Sequence, residues 1–205
     1  TWNIPALYCA FAIIPDAGLR ARYKRAMEGI VPHVNVLGLL GAEVAYLEGH
    51  APCLVRTPLT DIHDLSPLKT DPDPYASTRM LDRLLAVRAF RERVGGECSI
   101  LGWVEGPAAE AADLRGVQDF LMDLMDDEAA CSLLMERCTR TAIRFAEAQL
   151  AEGADTIGIG DAIASQLPPD LYRNLVWPGE KQIVEAIHAQ RGLAKLHICG
   201  NITHL

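Results

Sequence analysis

ADTIGIGDA, residues 154–162, is the stretch on which the fold turns. It is a short, almost continuously apolar run that starts after Gly153 and ends at Asp161. A run of this length bounded by turn residues reads as a strand covered on both faces, as in parallel α/β sheets. Two further stretches share the pattern: CSILGWVEGP (98–107), ending at a Gly-Pro breaker, and AKLHICG (194–200).

Helical periodicity fills the intervals. STRMLDRLLAVRAFRERVG (77–95) has Ser77 or Thr78 as cap, apolar residues at 81, 84, 85, 87 and 94, and a Gly95-Gly96 stop. A short helix is expected near Val117 to Met125 and a long one from Asp127 to Glu152. PPDLYRNLVWP (168–178) predicts a short helix and GEKQIVEAIHAQRG (179–192) a longer one. Upstream, Met27, Ile30, Val34, Leu37 and Leu40 favour helix over 20–40 despite Pro32, and AEVAYLEG (42–49) reads as a short strand. Five prolines between Pro52 and Pro74 mark a long irregular connection. Strands alternating with helices fit an open doubly wound sheet or a (β/α) barrel. No G-x-G-x-x-G follows a strand, and no phosphate-binding G-x-x-x-x-G-K-[ST] occurs, so the barrel is preferred.

Composition narrows the class. The 205 residues predict one domain, and half of them are apolar, enough for a sizeable core. A net charge of -8 argues against nucleic acid, whose phosphates need a basic surface. Cysteines 9, 53, 98, 131, 138 and 199 show no disulfide-framework spacing, which predicts a reducing, cytoplasmic compartment. The longest membrane candidate, VPHVNVLGLLGA, is short and interrupted by Pro, His and Asn. A start at Thr1 and an end at Leu205, close after the richest motif, predict a barrel truncated at both ends. The expected full length is about 300 residues or more, by the usual size of such barrels.

Polar groups gather where the strands end: Glu105, then Asp161, then His197 with Cys199. The carboxyl ends of parallel strands form the ligand face of α/β folds. His197 and Cys199 are two apart, so on a strand both face one point and offer a metal an imidazole and a thiolate. The bland alternative is a buried thiol beside a hydrogen-bonded imidazole. A third ligand would be Cys9, Cys53, His204 or a residue beyond Leu205. Glu105 and Asp161 are the candidate catalytic carboxylates, as substrate-orienting groups, proton donors or partners of a ligand histidine. Their bland readings are a solvated charge and a helix cap. Trp103 and Ser165 are the substrate-binding candidates. Tyr172, Trp177, Ile183, Val184 and Ile187 read as core, Cys131 and Cys138 as packing, Lys181 and RERVGGE as solvated.

GWVEGPAAEAADLRG, FLMDLMDDEAACSLLMERCT, AEGADTIGIGDAIASQLPPDLYRNLVWP and KLHICGN, in that order, resemble the uroporphyrinogen decarboxylase superfamily. They look most like its cobalamin-dependent branch, the methylcobamide:coenzyme M methyltransferases and related demethylating enzymes. The resemblance implies a (β/α)8 barrel whose site lies at the carboxyl ends of the strands. In that branch an H-x-C and a later Cys bind zinc, and His197 and Cys199 match the first two. It also implies methyl exchange with a corrinoid (cobalamin) on a separate protein, docked at an acidic barrel rim. The true decarboxylases, which act on a tetrapyrrole without metal, lack the His-Cys pair and carry an arginine-rich N-terminal motif that is not recognisable here. A catalytically idle barrel or a corrinoid-binding partner is the third reading.

Overall fold

The computed structural model describes residues 56–205, together with the backbone of two short strands, β1 (Val44–Ala45) and β2 (Cys53–Leu54), paired antiparallel. The helix expected over 20–40 and most of the strand expected over 42–49 lie outside the described residues. From Thr57 to Pro72 the chain has no helix or strand, in keeping with its prolines.

Five helices of nine or more residues and three strands follow, with short helical turns at Pro74–Ala76 and Ala162–Gln166 and, where a short helix was expected, over Pro169–Leu171 and Tyr172–Val176. The longer elements are α1 (Thr78–Val94), β3 (Leu101–Glu105), α2 (Pro107–Arg115), α3 (Val117–Asp126), α4 (Glu128–Ala151), β4 (Thr156–Gly160), α5 (Trp177–Ala189) and β5 (Leu193–His197). Ser77 caps α1 by accepting from the Met80 N–H, and Asp127 caps α4 by accepting from Ala130. Gly153, at φ +106, turns the chain from α4 into β4, a conformation that favours glycine.

The three strands form one parallel sheet in the order β3-β4-β5, with Glu105, Gly160 and His197 in register across its carboxyl edge. The sheet has two unlike faces. Val104, Ile157 and Ile159 point to one, where they pack with Phe145 and Ala146 of α4 and Ile183 and Ile187 of α5. Ile157 and Ile159 are fully buried, each contributing about 1.5–3 kcal/mol of transfer free energy. The other face carries Trp103, Glu105, Gly158, Gly160, Lys195 and His197, as the strand alternation and register require. Sequential strand order with α4 and α5 on one face is barrel-like; a doubly wound sheet carries helices on both. Gln149 of α4 binds the β3 backbone much as a neighbouring strand would, accepting from the Trp103 N–H and donating to the Trp103 carbonyl.

Four expectations are corrected. Gly106-Pro107 starts a helix and does not merely break one: Pro107 occupies the first turn of α2, where its missing N–H costs nothing. The last strand ends at His197, so Cys199 lies in the turn beyond it. Trp177, expected in the core, is 48% exposed at the start of α5. Arg91 of RERVGGE is not simply solvated, because its guanidinium holds the Gly153 carbonyl and Asp155. Cys131 and Cys138 are buried, as expected of packing residues.

Candidate active site

Trp103 lies across β4. Gly158 and Gly160 leave a slot with no side chains, and the indole fills it: a Cβ on Gly160 would stand 2.7 Å from Trp103 Cζ2 and 2.9 Å from Glu105 Oε2. The Trp103 indole N–H donates to Glu105 Oε1 at 3.1 Å, which fixes the carboxylate over the carboxyl edge of the sheet. On the other side of the slot the Trp103 ring meets the His197 imidazole, with centroids 6.1 Å apart. Trp103, Glu105 and His197 therefore share one surface.

His197 Nε2 and Cys199 Sγ lie 2.9 Å apart. The imidazole is exposed and the thiol half-buried. Two ligands of one tetrahedral zinc, at about 2.05 and 2.3 Å, stand roughly 3.6 Å apart, so a metal would part this pair by well under 1 Å. The donor set and its convergence fit zinc. Among the described residues no third His, Cys, Asp or Glu completes a site. His204 is directed elsewhere, with its Nε2 3.1 Å from the Leu167 carbonyl oxygen. The side chains of Cys9 and Cys53 lie outside the described residues.

Ser165 supports the turn after Cys199. Its hydroxyl donates to the Ala162 carbonyl, and Gly200, at φ +100, packs against it: a Cβ there would stand 3.2 Å from the Ser165 Oγ.

Asp161 stands at the same edge but faces away from the open surface. It is fully buried, and its oxygens accept from Ala109 N–H at 2.7 Å and Ala108 N–H at 3.2 Å. It caps α2 from the neighbouring strand, because the cap residue Gly106 has no side chain to do so. The approach is so close that a Cβ on Gly106 would stand 2.5 Å from Asp161 Cβ and Cγ. The cap anticipated on the following segment is thus a cap on a helix that begins 54 residues earlier in the chain. Burial drives the Asp161 carboxyl well above the usual carboxylate range and the Glu180 charge adds to this, while the two N–H donors pull it back. The Asp161 N–H also donates to the His197 carbonyl, tying β4 to the end of β5.

Two more acids behind the strand ends escaped sequence reading. Glu110, on α2, is 1% exposed, and neither of its oxygens has a hydrogen-bond partner. Burial, then the charges of Asp113 and Glu105, raise its carboxyl well above the usual range. Glu180, on α5, accepts from the Tyr172 hydroxyl at 2.7 Å, and burial raises it too. Periodicity does not single out Glu110, because Pro107, Ala108, Ala111, Ala112 and Leu114 are buried on both sides of it; the alanine-rich composition of α2 was the available signal.

A parallel sheet with helices on one face, and ionisable side chains at its carboxyl edge on the other, is the arrangement of a (β/α)-barrel ligand face. The chain belongs to the uroporphyrinogen decarboxylase (URO-D) family, whose model matches residues 34–205. It is 31% identical to the methylcobamide:CoM methyltransferase MtaA of Methanosarcina barkeri over 121 residues, 58% of this chain and 35% of that protein. It is 29% identical to the methylcobamide:CoM methyltransferase MtbA of Methanosarcina mazei over 75% of this chain and 45% of that one. The uroporphyrinogen decarboxylase of Chloroflexus aurantiacus is 28% identical over 80% of this chain and 45% of its own length. A solved methyltransferase from Methanosarcina mazei superposes with a TM-score of 0.75 at 25% identity, covering 87% of this chain and 55% of that chain. The chain thus spans less than half the length of these three relatives. The fold is the barrel of this family, seen as a portion of it, and among the described residues no helix is long and apolar enough to cross a membrane.

Proposed function

We propose that the protein is a zinc-dependent methyltransferase that moves a methyl group between a corrinoid and a thiol or a methoxylated or methylated small substrate. The observation that carries this reading is the convergence of His197 Nε2 and Cys199 Sγ, 2.9 Å apart, at the carboxyl edge of the sheet. The two methylcobamide:CoM methyltransferase relatives support it.

His197 and Cys199 would hold the metal, with a third ligand from outside the described residues. Zinc bound there supplies a positive charge that keeps a substrate thiol deprotonated at neutral pH or polarises a methoxy oxygen. The corrinoid comes on a partner protein that docks at the barrel mouth, so the open face above Trp103 is the place where substrate and methyl carrier meet. Glu105, steadied by the Trp103 indole, faces His197 across the glycine slot and can accept or return a proton there. Asp161 is a positioning residue: its side chain fixes α2 and its N–H fixes His197. Ser165 holds the Gly200 turn that presents Cys199. Free thiols at Cys98, Cys131, Cys138 and Cys199 suit the reducing cytoplasm in which such a thiolate survives.

Zinc content and demethylation of methylcobalamin test the reading. His197→Ala and Cys199→Ser should lose zinc together with methyl transfer, and Cys199→Ser should lose more activity than Glu105→Gln, since a ligand outweighs a group beside it. Full methyl transfer by a zinc-free Cys199→Ser protein would refute the metal mechanism. Decarboxylation of a uroporphyrinogen without metal would put the decarboxylase reading first.

A further inference from the structure

Four side chains that carry exchangeable protons follow one another around the first turn of α2. Glu105, at the inner face, immediately precedes Gly106. The Asp161 carboxyl lies against the Gly106 Cα and accepts from Ala108 and Ala109. Glu180 follows Gly179, where a Cβ would stand 3.0 Å from Pro107 Cγ and 2.7 Å from Thr139 Oγ1, so the start of α5 presses on the same turn. Tyr172, half-buried, donates its hydroxyl to Glu180 Oε2 at 2.7 Å. The row therefore begins at the open face of the sheet, passes its carboxyl edge and ends on the helix side at a phenol that water reaches.

The middle of the row is dry. Asp161 is fully buried and Glu180 is 2% exposed, so the chain itself covers both, and Glu180 Oε1 has no hydrogen-bond partner. A carboxyl in such a place needs a cation or a proton. The groups whose charge acts here are Glu110 and Asp113 of α2, Glu105 of β3 and Cys138 of α4, none of them a cation. Arg137 of α4, whose charge reaches Cys138, is spent on the Leu65 and Leu68 carbonyls. Protons are what this cluster holds. Tyr172 also opens a wide helical turn, in which the Trp177 N–H reaches back five residues to the Tyr172 carbonyl, a conformation that recurs at functional sites.

We propose that Asp161, Glu180 and Tyr172 form a relay that carries the reaction's proton between Glu105 and solvent on the helix side of the sheet. The inference rests on the methyltransferase reading and supplies a step which that reading leaves open. Transfer of a methyl group to a thiol breaks the S–H and Co–C bonds and makes an S–C bond. The Co–C electron pair stays on the cobalt, and one proton is released. Transfer from a methoxy substrate takes one proton up. With the corrinoid partner seated over the barrel mouth, the helix side is the route that stays open. Glu105 exchanges the proton with the substrate, and each member of the row passes one to the next, so a full pass leaves every group as it began.

The test uses the zinc-loaded enzyme with methylcobalamin as donor and 2-mercaptoethanol or 2-mercaptoethanesulfonate as acceptor. It is run in dilute and in concentrated N-methylmorpholine buffer, a small base that replaces a lost relay member. Native kcat should change by less than about twofold between the two buffers. Tyr172→Phe and Glu180→Gln should each lower kcat roughly tenfold in dilute buffer, with KM and zinc content unchanged. Concentrated buffer should return both to within about twofold of native, a recovery that a merely structural role does not give. Native kcat in both variants in dilute buffer, or a loss that buffer does not restore, would overturn the relay and leave the methyltransferase reading standing. Absence of transfer to both thiols by the native zinc-loaded enzyme would overturn the reading itself.

Discussion

Replacing Asp161 by alanine should destabilise the protein by about 2–4 kcal/mol. The carboxylate is fully buried and accepts from two N–H groups of the first turn of α2, at 2.7 and 3.2 Å. Its removal leaves both donors without an acceptor in a dry interior, at about 1–3 kcal/mol each. Relief of the burial and of the Glu180 repulsion that push this carboxyl up offsets part of that sum. Asp161→Asn keeps one acceptor oxygen but turns an amide N–H₂ toward the second donor, so its cost should be about half as large. Equilibrium urea unfolding at neutral pH, followed by far-UV circular dichroism, reads both values. Helix α2 connects β3 to α3, and the Asp161 N–H carries the His197 carbonyl, so the variants should also bind zinc more weakly. An Asp161→Ala protein within 0.5 kcal/mol of native would refute the cap. So would an Asp161→Asn protein less stable than Asp161→Ala.

Glu110 gives a pH dependence of known sign. The folded state raises its carboxyl by burial first and by the Asp113 and Glu105 charges next, so the native protein holds a proton that the unfolded chain releases. Stability from this group is intact below its ordinary value of 4.5 and falls as pH rises toward the raised one. Glu110→Gln should therefore gain relative to native between pH 5 and pH 8 in urea midpoint; a constant difference would place the carboxyl in solvent. Gly158→Ala puts a methyl group inside the contact distance of the Trp103 ring, which must move and release Glu105. The expected cost is about 1–3 kcal/mol with a changed Trp emission spectrum, and an unchanged spectrum and stability would mean that the ring does not fill the slot.

The three parallel strands, the long helix α4 and the edge that carries Glu105, Asp161, His197 and Cys199 were legible in the sequence, because each rests on a local pattern. An apolar run of five and a helical repeat in Cys131, Leu134, Cys138 and Phe145 are set by neighbours a few residues away. The same holds for His197 and Cys199, two positions apart. The direction of each polar group is a different matter. Asp161 and Glu105 look alike in sequence, a carboxylate after an apolar strand, yet one is spent on Ala108 and Ala109 and the other lies beside Trp103. The deciding partners are more than 50 residues distant for Asp161 and two for Glu105, and only chain packing brings the former together. Glu110 and Glu180 carry no local mark of burial; the packing of α2 and α5 against the rest of the chain is what buries them. Trp177 looked like core and is exposed, although its neighbours Val176, Gly179 and Glu180 at the start of α5 are buried, so it stands on the outer side of that turn. Local periodicity determined which elements form and which residues reach the strand ends; the tertiary structure alone decided which carboxylates are buried against a helix end and which remain on the open face, because burial and hydrogen bonding depend on residues far apart in the chain.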